Sequence, residues 1–299
     1  MGRIAFVFSG QGDQYPGMGR ELCEKYPVAK SIFGLCDSIR PGTSSQCFGG
    51  TEDELKETAN TQPCLFAMEL AAASVLIGKG TTPDVTAGFS LGEVVAATVS
   101  GIFSSETGFK LVCKRGELMQ READKFDTSM AAVVKLTVEQ VEEACKKHSQ
   151  VYPVNFNCPG QITVSGLSAE MPGFFSDVKA LGGKAIPLKV KGAFHSPFMN
   201  KAAEGFAKEI AKAEVRPATI PLYSNMTAEI YGDNVTELLS RQICNPVQWE
   251  KIIRNMISTG VDTFIEIGPG RTLTNMMRKI DTNVKAANFM DYLAENEKC

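Results

Sequence analysis

The sequence predicts an α/β protein: a doubly wound, mostly parallel sheet with a small ferredoxin-like βαββαβ domain inserted into it. Two observations carry that reading. Short apolar runs alternate with helical patterns through most of the chain, the signature of parallel strands joined by crossover helices. One stretch, residues 128–191, breaks the alternation with the order strand, helix, strand, strand, helix, strand. The large domain is therefore expected over 1–127 and 192–299.

The composition fits. The chain has 299 residues, 43% hydrophobic and 22% charged, enough for a large core and about two domains. Lysine plus arginine count 31 against 34 acids, a net charge of −3, and no block of like charge starts a nucleic-acid surface. The nine cysteines stand singly, at 23, 36, 47, 64, 113, 145, 158, 244 and 299, and only two histidines accompany them. Without a C-x-x-C pair no zinc site is expected, and the odd count fits reduced thiols in a cytoplasm.

Taken in order, the first strand is Ile4–Phe8, too short for a signal peptide. A Met-Gly start invites a myristoylation reading, but Phe6 stands where Ser or Thr is wanted. The glycine loop Ser9-Gly10-Gln11-Gly12-Asp13-Gln14 follows, where an open α/β sheet binds ligands. It is not a nucleotide loop: Tyr15 replaces the third glycine of a dinucleotide fingerprint, and Gly17 is followed by Met18 instead of Lys. Thr51 and Glu54 form a capping box at a helix start. The longest apolar run, Leu65–Gly78, carries Glu69 and falls short of a membrane span. Val85–Phe89 is the second strand.

The insertion reads as strand Met130–Leu136, helix Val138–His148 with a Thr137/Gln140 capping box, strands Val151–Asn157 and Ile162–Ser165, helix Pro172–Leu181 and strand Lys184–Val190. Pro221–Ser224, Thr263–Ile267 and Val284–Ala287 complete the strands of the large domain.

Chemistry concentrates at Gly88-x-Ser90-x-Gly92, on a strand-turn-helix. This is the nucleophile-elbow pattern of an α/β-hydrolase-like core, in which a sharp turn lifts the serine above the sheet. The helix start beneath it offers N–H groups to a developing negative charge. The alternative is a tight turn with an incidental serine. A serine hydroxyl needs a base, and the chain offers only His148 and His195. His148 ends a helix beside two lysines, where a histidine caps the C-terminus. His195, in the loop VKGAFHSPFM, is the partner by elimination. No acid has a good claim to orient it, which counts against a lipase or esterase.

The segments FSGQGDQYPGMG, TQPCLFAMELA, GFSLGEVVAA, KRGELMQ, NFNCPGQITVSG, GAFHSPFM, YSNMTA, CNPVQW and IEIGPGRTL together resemble the malonyl-CoA:acyl carrier protein transacylase family, in order and over essentially the whole chain. The resemblance implies Ser90 as acylated nucleophile and His195 as base, with the N–H groups of Gln11 and Leu91 as oxyanion hole. It implies that Arg115 binds the malonyl carboxylate; by pattern alone Arg115 is a helix-surface residue. A main-chain carbonyl near Gln242 would orient the histidine in place of an acid. Asn157, Phe194 and Phe89 would line the substrate cleft.

Two residues depart from the family's usual pattern. Asp13 replaces a serine, and Phe89 a histidine; the latter puts acyl-group preference in question more than activity. The expected chemistry is ping-pong transfer from malonyl-CoA, a coenzyme A thioester, to the thiol of an acyl carrier protein. No metal or bound cofactor, nucleic acid or membrane takes part, and the chain acts as a cytoplasmic monomer. Lys189 and Lys191 could meet an acidic carrier, or form a solvated strand face. The competing readings are a serine hydrolase such as a thioesterase, and a catalytically silent carrier-docking module.

Overall fold

The computed structural model describes residues 2–190 and 192–296. Among the described residues nine strands form two sheets: β1 Arg3–Phe8, β2 Val85–Gly88, β3 Thr128–Val134, β4 Val151–Cys158, β5 Gln161–Leu167, β6 Lys184–Pro187, β7 Leu222–Tyr223, β8 Val261–Ile267 and β9 Lys285–Asn288. The main sheet is wholly parallel, ordered β7-β2-β1-β8-β9. Its centre, β1, buries Ala5, Phe6, Val7 and Phe8 completely. Helices cover both faces of such a sheet, so a central strand reads as an unbroken apolar run instead of an alternating one.

Register decides where the site forms. Phe8 pairs with Gly88 on one side and with Ile267 on the other, so β1, β2 and β8 end at one level. The turns carrying Ser9, Phe89 and Gly268 therefore emerge together, at the carboxyl edge where the strand order reverses. Open α/β sheets bind their ligands there.

The second sheet is antiparallel, ordered β4-β5-β3-β6. Helices Val138–Lys146 and Met171–Ala180 pack on it through Val133, Val141, Ile162, Phe174 and Val178. Its edge strand β4 joins the main body: Phe156 N donates to Val247 O at 2.9 Å, and Val247 N to Val154 O at 2.9 Å. Both capping boxes are formed, on Thr51/Glu54 and Thr137/Gln140.

The last strand ends at Pro187, short of Val190, since only four of its residues pair with β3. The apolar run Leu65–Gly78 lies in a longer helix, Thr58–Gly78, whose polar first turn and Pro63 are also helical. At 21 residues it is long and apolar enough to cross a membrane, yet 83% of its apolar window is buried inside the protein. It is the central core helix.

Candidate active site

The two glycines around Ser90 are forced by backbone contact. A Cβ on Gly88 would fall 1.9 Å from the carbonyl carbon of Gly92, and one on Gly92 would fall 2.3 Å from Phe8 O. Strand, turn and the helix Gly92–Val99 touch through those two missing side chains. Ser90 itself has φ 56°, a left-handed conformation uncommon for a non-glycine residue. Such strain persists only where the surroundings over-determine it. Here Ser90 N donates to Asn225 Oδ1 at 2.7 Å, and Gln242 Nε2 donates to Ser90 O at 3.0 Å.

His195 is 4% exposed. Its Nδ1 lies 2.7 Å from the Gln242 carbonyl oxygen and its Nε2 2.7 Å from Ser90 Oγ. A carbonyl can only accept, so Nδ1 carries the hydrogen and Nε2 is left to accept the Ser90 proton. Burial, then the Arg115 charge, lowers the imidazole to about 4. The ring is therefore neutral at pH 7, the form a base needs. His148 lies in the second sheet's layer, 2.9 Å from Asp177 Oδ2 and edge-on to Phe174.

Arg115 is fully buried, contrary to the helix-surface reading from pattern. On the helix Ser105–Ala123 it shares a buried stripe with Val112 and Met119. Its Nη1 donates to Gln62 Oε1 at 2.8 Å; its Nη2 donates to Gln242 Oε1 and to Ser90 Oγ, both at 3.2 Å. Nε has no partner among the described residues. Burial lowers Arg115 to about 10, still a cation at neutral pH. A buried guanidinium beside a nucleophile, one of its donors unpartnered among the described residues, suits a substrate that carries a short-chain carboxylate.

Gln62, Asn225 and Glu93 had no assigned role in the sequence. Gln62 and Asn225 lie in TQPCLF and YSNMTA, recognisable segments whose side-chain chemistry was not separable from core polarity. Glu93 reads as an acid in a helix's first turn. In the fold its Oε1 accepts from Asn225 N and Tyr231 Oη, both at 2.8 Å, and the carboxyl is wholly buried. Burial raises it to about 8, against those two hydrogen bonds and the pull of Arg115.

Around this group lie the other predicted residues. The N–H groups of Gln11 and Leu91 meet no backbone acceptor among the described residues. Gln11, Phe89 and Asn157 line a cavity of about 530 Å³, together with Thr163, Leu188 and Lys189. Asn157 donates to Thr163 Oγ1 at 3.1 Å, and its Oδ1 is buried without a partner among the described residues. Phe89 packs edge-on to Trp249, ring centroids 5.4 Å apart. Phe194 is 8% exposed and packs into the main core. Asp13 accepts from Thr272 Oγ1 at 2.8 Å. Lys191 lies outside the described residues.

Comparison with known proteins gives the family. A profile of the acyl transferase domain matches residues 5–296. The malonyl CoA-acyl carrier protein transacylase of Bacillus subtilis (strain 168) is 37% identical, over 97% of this chain and 94% of its own. The chain belongs to the malonyl CoA-acyl carrier protein transacylase family.

A Synechocystis member is 36% identical, over 97% of this chain and 99% of its own. The Clostridium perfringens transacylase structure superposes with TM-score 0.95 at 35% identity, covering 99% of this chain and 97% of that one. A malonyl-transacylase solved in complex with a type II PKS acyl-carrier protein superposes with TM-score 0.94 at 32% identity, covering 98% and 99%. Among the described residues no cluster of three metal-ligating side chains occurs.

Proposed function

We propose that this protein transfers a malonyl group from malonyl-CoA to the phosphopantetheine thiol of an acyl carrier protein through an acyl-serine. The observation that carries the reading is a single Ser90 hydroxyl held 2.7 Å from a neutral imidazole and 3.2 Å from a buried guanidinium. The first supplies a nucleophile with its base, the second a receptor for a carboxylate near the reacting carbonyl.

In the first half-reaction Ser90 Oγ attacks the thioester carbonyl as its proton passes to His195 Nε2. The oxyanion is held by the N–H groups of Gln11 and Leu91. Collapse breaks the C–S bond, and the proton goes from His195 to the departing thiolate. The carrier thiol, with a pKa of about 8.5 when free, then gives its proton to His195 and takes the acyl group by the reverse steps. The Gln242 carbonyl fixes the ring and its tautomer, a task that an aspartate performs elsewhere. Arg115 pairs with the malonyl carboxylate, while Phe89 and Asn157 wall the pocket.

We further infer that residues 128–191 form an inserted ferredoxin-like domain whose two seams, at 127 and 192, flank the cleft. The antiparallel order β4-β5-β3-β6 with two helices supports it. The chain works as a cytoplasmic monomer in this reading, and the burial of its apolar core helix supports a non-membrane role.

Intact-protein mass spectrometry after mixing with malonyl-CoA tests the proposal. The expected result is one malonyl adduct on Ser90, lost on adding a holo carrier protein that gains the same mass. An adduct discharged to water faster than to the carrier would make the protein a thioesterase. No adduct at all would leave a docking module.

A further inference from the structure

The core helix Thr58–Gly78 is apolar along its middle except for Glu69, whose carboxyl is wholly inside the protein. A buried carboxyl is expensive unless something uses it. Its Oε1 accepts the hydroxyl of Ser9 at 2.6 Å, and its Oε2 has no partner among the described residues. None of the steps proposed above touches either residue.

Ser9 is the first residue of the glycine turn and is clamped from three directions. Its N–H donates to Ile267 O at 3.1 Å. Its carbonyl lies where a Cβ on Gly92 would come within 2.6 Å, so it presses on the elbow helix. Its hydroxyl occupies the space of a Cβ on Gly268, 1.8 Å away. Glu69 reaches it from the fourth side. Two residues further on stands Gln11, whose N–H is a donor of the proposed oxyanion hole.

We propose that Glu69 is a positioning residue for acyl transfer: by accepting the Ser9 hydroxyl beneath the glycine turn, it fixes the Gln11 N–H toward the oxyanion. The inference rests on the acyl-serine reading. The charge state of Glu69 suits the task. Burial holds its proton well above the usual carboxyl range, against the Ser9 hydrogen bond and helped by the neighbouring Glu266 of β8 and Asp13 of the turn. Glu266 is itself occupied by Leu273 N, Thr274 N and Thr274 Oγ1, and Asp13 by Thr272 Oγ1. A carboxyl held toward its protonated form keeps the hydrogen bond while placing less negative charge under a site where negative charge develops.

The test uses the full chain and the single-turnover rate of Ser90 acylation by malonyl-CoA, read by intact mass. Glu69→Leu removes the acceptor, and Ser9→Ala removes the donor from the other end, so the second variant stands if the first folds poorly. Each should slow acylation about tenfold, the scale of one hydrogen bond, with the concentration dependence of malonyl-CoA unchanged. The double variant should lose no more than either single one. Glu69→Gln, which keeps an acceptor for the Ser9 hydroxyl, should recover most of the rate. Folded variants that acylate at the wild-type rate overturn the inference alone. A wild type that forms no adduct overturns the acyl-serine reading and this inference with it.

Discussion

Ser90 and His195 face each other at 2.7 Å, and both hold left-handed backbone, φ 56° and 60°. Two strained non-glycine residues in contact mark a place where the fold gives up local comfort for side-chain aim. The elbow turns the serine up from β2, and the reversed loop turns the imidazole down onto it.

The pH dependence of acylation follows from that pair. His195 is lowered to about 4 by burial and by Arg115, below the 6.5 of a free histidine. Acylation by malonyl-CoA should therefore stay on its plateau as pH falls from 7 to 5 and drop only near 4. His195→Ala should lose about 10²–10⁴-fold at every pH on the plateau. Stopped-flow release of coenzyme A checks both; an acid limb centred near 6.5 would mean a more exposed imidazole than the fold holds.

Much of this was legible in the chain. The central parallel strands are unbroken apolar runs, and the glycine pair marks a turn that admits no Cβ. Two histidines made elimination of His148 simple. The carbonyl that replaces the orienting acid came only from resemblance, because a backbone group leaves no mark in the sequence. Arg115 could have been found: Val112, Arg115 and Met119 fall on one helical stripe, so spacing alone places the guanidinium inward. Asn225 and Glu93 could not, since their bonds to the elbow span more than a hundred residues and no local period encodes them.

Phe89 fills the wall beside the nucleophile and rests on Trp249. Phe89→His exchanges an apolar edge for a polar one there, without touching the Ser90–His195 pair. Relative acylation rates among malonyl-, methylmalonyl- and acetyl-CoA should shift by more than the malonyl rate itself, measured by competition with mass readout. An unchanged ratio for all three donors would place residue 89 out of reach of the acyl group.

Glu93 makes malonyl binding sensitive to alkali. Burial raises its carboxyl to about 8, so at neutral pH it is protonated and the Arg115 charge is unbalanced. As pH rises through 8 the carboxylate forms and cancels that charge. The KM of malonyl-CoA in the acylation half-reaction should then rise while that of acetyl-CoA, which lacks a carboxylate, stays flat. Glu93→Gln keeps an acceptor for Asn225 and Tyr231 and cannot ionise, so it should abolish the rise. A rise that persists in Glu93→Gln would have to come from another group.

Arg115 gives the sharpest test, because only a free carboxylate on the substrate uses it. In the free enzyme its Nη donors rest on Gln62, Gln242 and Ser90, and Nε is unpartnered among the described residues. Arg115→Ala removes a hydrogen bond to a charged group, about 1.5–3 kcal/mol. At about 1.4 kcal/mol per tenfold, malonyl-CoA should lose on the order of ten- to a hundredfold in kcat/KM. Acetyl-CoA strands no charge, so its rate should hold or rise, and the preference between the two donors should narrow. Arg115→Lys should recover little, since an ammonium cannot bridge Gln62 and Gln242 while facing a carboxylate with a second donor edge. Equal losses for both donors would instead assign Arg115 to holding Gln242, and through its carbonyl His195, in place.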